Sequence, residues 1–386
     1  MAKADEVFDI AVIGGGAVGL ATAWAAGAAG LSVVLFERQP LFHDGGSSGG
    51  AERQWRLQYS DERLARLVLA AVPAWRRLEH DIDRPLVHRT GSLWFGDIDQ
   101  DSNEGQIRAA VAVLDRLSLP YEWLDVKDIE SRFGFGGLPG HYQGFHQPDG
   151  GAIDVRATLW SLYTLAVATG ARILPEVPVR EIRPTGTGVQ VVTAAGTTRA
   201  GAVVVAAGAA TTPLLEPLGV HLAMRTFEMP SAYFRLRDPA QDYPTWFAFE
   251  PPEESGDAHY YGFGRNPWGH RDLVRVAPDS EANPLPEASR ATGVARDADL
   301  RRLSAWVDRH LAGLDPTPLA PSTCLVTLPA DHDRAFRVGR VPGAERVVYC
   351  TSGWIFKFVP LLGQVCVDLA VHGAASADVA ELLPAS

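Results

Sequence analysis

The sequence predicts an α/β or α+β fold, and three observations predict it. Helical and strand-like segments alternate along the chain. A complete βαβ unit opens it. And 46% of the 386 residues are hydrophobic, enough for a large core in one large or two ordinary domains.

Val7 to Ile13 reads as a buried strand, short, apolar and ended by glycines. Gly14-Gly15-Gly16-Ala17-Val18-Gly19 follows, then an Ala-rich helix from about Val18 to Ala29, which Gly30 stops. Ser32 to Phe36 is the second strand, ending in Glu37. Asp61 to Glu79 has helical periodicity with a kink expected at Pro73. Ser92 to Phe95 is strand-like, while Glu104 to Leu117 and Val126 to Phe133 are helical. Gln147-Pro148-Asp149-Gly150-Gly151 is a turn before a helix from Val155 to Thr169. Strands are expected at Ala171 to Leu174, Val177 to Ile182, Val189 to Thr193 and Ala202 to Ala206. Leu214 to Asp279 mixes aromatic strand-like runs with a loop at Pro251 to Asp257, and Pro278 to Ala291 is a second loop. Leu300 to Leu311 and Leu361 to Val371 are helical around a strand at Val347 to Cys350. There is no internal repeat.

Net charge is -11 and no Lys/Arg block occurs, so no nucleic-acid footprint is expected. The apolar stretch from Ala11 to Leu35 is broken by glycines and ends in Glu37, so no membrane span is expected, and the first strand leaves no room for a signal peptide. Cys324, Cys350 and Cys366 are an odd, sparse set, which points to the cytoplasm rather than a disulfide framework. Only Lys3, Lys127 and Lys357 are lysines among 35 basic residues. Lys357 lies in Trp354-Ile355-Phe356-Lys357-Phe358, a poor place for a surface lysine.

The spacing Gly14-x-Gly16-x-x-Gly19 follows a strand, opens a helix and precedes an acidic residue, Glu37, at the end of the next strand. That context marks a Rossmann-like dinucleotide site. Gly14 permits the tight turn, Gly16 the close approach of a pyrophosphate, and Gly19 close helix packing. The helix N-terminus favours phosphates, and Glu37 suits ribose hydroxyls. Ala206-Ala207-Gly208 ends a second strand, and a late glycine pair, Gly339 and Gly343, follows. A cofactor touched by both ends of the chain suits FAD; a nicotinamide-dependent dehydrogenase is the alternative.

At Ser47-Ser48-Gly49-Gly50-Ala51-Glu52-Arg53-Gln54-Trp55-Arg56 the chain resembles the D-amino-acid-oxidase-like FAD family, in its monomeric sarcosine oxidase branch. Gly150-Gly151-Ala152-Ile153-Asp154, Ala206-Ala207-Gly208, Ser322-Thr323-Cys324 and Phe356-Lys357-Phe358 extend the likeness over essentially the whole chain. Gly91-Ser92-Leu93-Trp94-Phe95-Gly96, Asn103-Glu104-Gly105 and Tyr261-Gly262-Phe263-Gly264 are similar to a member that oxidises the cyclic imino acid piperideine-2-carboxylate to picolinate.

The resemblance implies a Rossmann-like FAD-binding domain, 1–90, 150–215 and 325–386, interleaved with a mixed-sheet substrate domain, 91–149 and 216–324. It implies FAD against Gly14, Gly16, Val18, Gly19, Glu37, Arg38, Ser47, Ser48, Arg53, Gly208, Gly353 and Lys357, joined covalently through Cys324. Arg56 and Lys357 match the pair that grips a substrate carboxylate, and Glu104 and Asp279 match active-site acids suited to moving protons on the substrate nitrogen. Trp354 matches a tryptophan near the flavin. Arg275 stands where the branch has a lysine that assists reaction with oxygen; it keeps the charge but supplies no titrating amine. Arg53, three residues before Arg56, would share a helical face with it.

The implied activity is oxidation of a cyclic imino acid by dioxygen, with hydrogen peroxide released, in a cytoplasmic monomer. A sarcosine-like oxidase of secondary or N-methyl amino acids is the alternative substrate class. An FAD-stabilised module acting through protein partners is the alternative from outside enzymology.

Overall fold

The computed structural model describes residues 7–102, 104–251, 259–279, 283–330 and 336–384. Lys3, Asn103 and the parts of the two expected loops at 252–257 and 280–282 lie outside these residues.

Two large sheets carry the architecture. The first has eight strands among the described residues. Its path runs Val179–Pro184, Val189–Thr193, Gly196–Val205, Val7–Ile13, Val33–Phe36, Arg172–Leu174, and the hairpin Arg337–Val341/Ala344–Thr351 joins through Gly196–Val205. Val7–Ile13 pairs in parallel with both of its neighbours. Its side chains divide by twos, as a strand requires. Ile10 and Val12 join the core beneath the helices Ala17–Ala28, Val155–Ala168 and Val359–Val371. Ala11 and Ile13 join a second core on the opposite face. Burial on both faces explains why this strand reads as a near-continuous apolar run.

The second sheet has nine strands among the described residues, along Pro284–Leu285, Met224–Arg235, Leu273–Pro278, His259–Gly262, Thr245–Phe249, Ser92–Gly96, Gln143–Gln147, Glu122–Asp125, with Leu319–Pro329 paired to Met224–Arg235. Among this sheet's described strands only Thr245–Phe249 with Ser92–Gly96 is a parallel pair, so the sheet is mixed. The helix Asp297–His310 covers one face, and Trp306 stacks on Trp246 with ring centroids 5.0 Å apart. A small third sheet joins Glu52–Trp55, Gly151–Asp154 and Val87–His88. It ties the two halves together: Trp55 packs in the helix-side core, and Gln54 Nε2 donates to the Trp246 carbonyl at 3.1 Å.

Several expectations change. Arg53 does not share a helical face with Arg56, because Glu52–Trp55 is a strand bonded to Gly151–Asp154. The helix Glu62–Ile82 runs through Pro73 and past Glu79, capped at Asp61, whose Oδ1 accepts from Arg63 N at 2.8 Å. Glu104 is not at a helix start. The helix begins at Ile107, and Glu104 sits in a tight loop in which Ser102 and Gly105 exchange backbone hydrogen bonds. Among the described residues no helix is long and apolar enough to cross a membrane.

Candidate active site

Two cavities adjoin, sharing Gly353 and Phe356 in their walls. The larger, about 440 Å³, is lined from three stretches of the chain, 13–48, 177–214 and 325–359. That size is ordinary for a cofactor site. Gly14, Gly16, Val18, Glu37, Arg38, Ser47, Ser48, Gly208 and Gly353 all line it. Gly14 has φ +110°, and a Cβ there would lie 2.8 Å from the Ala206 carbonyl carbon, so only glycine fits the turn. Gly19 lies behind the wall. A Cβ on it would press on the Gly14 backbone, so its absence lets the helix close onto the turn.

Glu37 is buried. Its carboxylate accepts from Gly15 N and Gln39 N, each at 2.7 Å, which fixes the oxygens at the cavity edge. Ser48 Oγ accepts from Ala17 N at 3.0 Å, seating the Ser/Gly loop on the helix N-terminus. Gly339 and Gly343, the expected late glycine pair, do not line the cavity. They belong to the strand and the turn of a hairpin, and Gly353, next along the chain, takes the place they were expected to fill. A narrow strand-turn-helix mouth with a fixed carboxylate fits an adenine dinucleotide, and its continuity with a second cavity fits the long molecule FAD rather than a cofactor confined to one domain.

The smaller cavity, about 110 Å³, brings together Arg53, Arg56, Glu104, Arg275, Asp279, Cys324, Trp354 and Lys357. These come from separate parts of the chain. Its apolar side is a two-strand ladder: Phe227 pairs with Val326 and Met229 with Cys324, every second residue facing in. Four cationic and three carboxylate side chains (Glu52 the third) ring this wall.

Arg56 is 2% exposed. Its guanidinium contacts the Glu104 carboxylate and lies 4.8 Å from the Tyr59 ring centroid and 5.4 Å from that of Trp94. Lys357 Nζ approaches the same tyrosine ring, 5.7 Å from its centroid. Burial pulls the Lys357 ammonium down to about 8, with Arg56 adding to the pull and Tyr59 and Asp279 opposing it. Trp75 Nε1 donates to the Lys357 carbonyl at 2.6 Å and so holds the short turn that carries the lysine.

Arg53 is held by three carbonyls, donating to Ser47 O at 2.6 Å, Gly49 O at 2.7 Å and Glu52 O at 2.8 Å. Its Nη2 also lies 3.5 Å from Cys324 Sγ. Cys324 is half-buried, whereas Cys350 and Cys366 are buried. Arg275 is buried over the Phe263 ring, 5.7 Å from its centroid.

Sequence reasoning did not single out Glu52, Gln54, Phe227, Met229, Phe247 or Tyr261, all of which line the smaller cavity, or Tyr59 beside it. Glu52 and Gln54 carried a signal, since they stand inside the Ser/Gly-Arg segment already quoted, and Tyr261 begins the Tyr261-Gly262-Phe263-Gly264 segment. Phe227 and Met229 carried none, because only the pairing of two distant strands brings them to the site.

A backbone-built dinucleotide cavity opening onto a charged, partly apolar one defines a cofactor-dependent oxidoreductase. The chain belongs to the FAD dependent oxidoreductase (DAO) family, whose model matches residues 9–369. It is an enzyme of the amine and amino-acid oxidoreductase kind. It is similar to human peroxisomal sarcosine oxidase, 28% identical over 98% of this chain and 96% of that protein. It is similar also to N-methyl-L-tryptophan oxidase of Yersinia pestis (strain Pestoides F), 27% identical over 96% and 97%. A putative bifunctional amine oxidase of Dictyostelium discoideum is 28% identical over 95% of this chain, which spans 36% of that longer protein. Among solved structures, the open form of NikD, an unusual amino acid oxidase essential for nikkomycin biosynthesis, superposes with TM-score 0.92 at 49% identity, covering 98% of both chains.

Proposed function

We propose that this enzyme oxidises a cyclic imino acid, piperideine-2-carboxylate, to picolinate, in the biosynthesis of an antibiotic, as a cytoplasmic monomer. The observation that carries this reading is the convergence of Arg56, Lys357, Glu104, Asp279 and Trp354 on one small cavity that abuts the FAD cavity. The 49% identity with NikD supports it.

The residues lining the two cavities would hold FAD, which would supply the acceptor for a hydride from carbon next to nitrogen, with dioxygen as the final oxidant, reduced to hydrogen peroxide. The protein's part is binding and proton handling. Arg56 and Lys357 hold the substrate carboxylate, each charged hydrogen bond contributing about 1.5–3 kcal/mol. That grip sets the ring between the apolar ladder and Trp354. Glu104 and Asp279 take protons from the ring nitrogen and neighbouring carbon as two successive two-electron oxidations make the ring aromatic. Because Glu104 contacts Arg56 directly, the incoming carboxylate loosens that pair and frees Glu104 to act as a base. Trp354 stacks on the aromatic product. Arg275 supplies a fixed positive charge where dioxygen becomes an anion. Cys324, beside the Arg53 guanidinium, carries the flavin covalently.

The test is anaerobic mixing of the yellow protein with piperideine-2-carboxylate. Bleaching of the flavin band, then recovery in air with picolinate formed, is the expected result. An unbleached protein that sarcosine or proline does bleach would overturn the substrate and favour the secondary amino-acid reading.

A further inference from the structure

Glu52 has no part in the reaction described above, yet it is the most enclosed carboxylate of the smaller cavity, 1% exposed. A carboxylate so removed from water persists as an ion only when it is paired and hydrogen-bonded. Its partners are arranged for that. Tyr233 and Arg275 stand opposite each other on adjacent antiparallel strands, and both reach Glu52. The Tyr233 hydroxyl lies 3.0 Å from each carboxylate oxygen. Arg275 Nη1 lies 4.0 Å from Oε1 and donates to the Glu52 carbonyl at 3.4 Å. Arg53 donates to the same carbonyl at 2.8 Å.

One residue therefore joins the two arginines on the side of the cavity where Cys324 stands. The geometry points to Glu52 as the counter-charge of that arginine wall: an anion anchored by Tyr233 that fixes Arg275 and sets the flavin's reduction potential. It is a positioning residue, and its role rests on the reading above only in placing the flavin ring beside this cavity.

The physical argument is electrostatic. Two-electron reduction makes the flavin more negative, so nearby cations favour the reduced form and nearby anions oppose it, strongly so where water is excluded. Burial raises the Glu52 carboxyl above its ordinary range and the Asp154 charge adds to the rise, while the Arg275 charge, the Tyr233 hydroxyl and the Arg53 charge oppose it, so the anion is favoured toward alkaline pH. Glu52 thus keeps the arginine wall from raising the potential as far as bare guanidinium groups would.

FAD-loaded wild type, Glu52→Gln and Tyr233→Phe are titrated anaerobically with dithionite against a reference dye at mildly alkaline pH, with thermal unfolding recorded alongside. No substrate is used, so the result is independent of which acid the enzyme oxidises. Glu52→Gln is expected to raise the midpoint potential by about 30 mV or more, about tenfold in the ratio of reduced to oxidised forms for a two-electron couple. Tyr233 stands behind the cavity wall, and Tyr233→Phe is expected to shift the potential the same way by less. An unmoved or lowered potential in Glu52→Gln overturns the proposal, whatever happens to the melting temperature. Should Glu52→Gln fail to hold FAD, Tyr233→Phe decides: an upward shift supports the role, and no shift or a downward one rejects it.

Discussion

The two adjoining cavities are made of different materials. The larger is framed by main chain and small residues, such as Gly14, Gly16, Gly45, Gly46 and Gly208, with Glu37 as its buried carboxylate. The smaller is walled by long charged and aromatic side chains from segments far apart in sequence. A main-chain site tolerates little added bulk but makes few demands on side-chain identity. A side-chain site accepts ordinary backbone conformations but depends on which functional group stands at each position. Substitutions should therefore fail in opposite ways in the two places, and that contrast can be broken or sharpened experimentally.

The largest effect belongs to the larger cavity. Gly14→Ala puts a Cβ 2.8 Å from the Ala206 carbonyl carbon at φ +110°, so the purified protein should lack the visible flavin band. A yellow Gly14→Ala protein would show that the turn is not rigid and would weaken the contrast. Next comes Arg56→Ala, which leaves the Glu104 carboxylate without its buried partner. Flavin content should stay normal while kcat/KM falls by about a hundredfold or more, about 3 kcal/mol or more. Equal loss of flavin and activity would mean that the two cavities are not separable.

Lys357 gives a pH effect. Its ammonium, lowered to about 8 by burial, is charged below that pH and neutral above it. Affinity for a carboxylate substrate should fall about tenfold per pH unit above that point, and Lys357→Met should lose this alkaline limb while binding weakly throughout. A limb that persists in the variant would assign it to another group. The smallest effect on turnover is expected from Cys324→Ser. Acid-denatured wild type should retain flavin fluorescence on the protein band, while the variant should release it and still turn over as holoprotein. Release of flavin from denatured wild type would remove Cys324 from the cofactor's covalent chemistry.

The same contrast explains what could be read from the sequence. The strand Val7–Ile13 and the glycines after it were legible because their demands are local: a double-sided apolar run and fixed φ values leave few residue choices. Lys357 stood out locally, as a rare lysine in an apolar run, but Arg56, Glu104 and Asp279 were legible only through resemblance, since nothing local distinguishes a cavity arginine from a surface one. Glu52–Trp55 was mistaken for a helical segment because its polar sequence has no strand alternation; pairing with Gly151–Asp154 makes it a strand. The helix expected to end at Glu79 runs on through Pro73 to Ile82. There Trp75 and Leu78, buried in the helix-side core, outweigh the missing hydrogen bond. Phe227 and Met229 reach the cavity through a pairing with residues nearly a hundred positions away, for which no local pattern exists.

The ladder that carries Phe227, Met229, Val326 and Leu328 has a consequence for how such an enzyme diversifies. Phe227 and Val326 share one rung and Met229 and Leu328 stand on the rungs to either side, all held in register by main-chain bonds that ignore side-chain identity. Exchanging one for a larger or smaller neighbour reshapes the floor beneath the ring without disturbing the carboxylate grip or the cofactor. New members of a lineage could thus acquire different acids one rung at a time, keeping a working redox centre at every step.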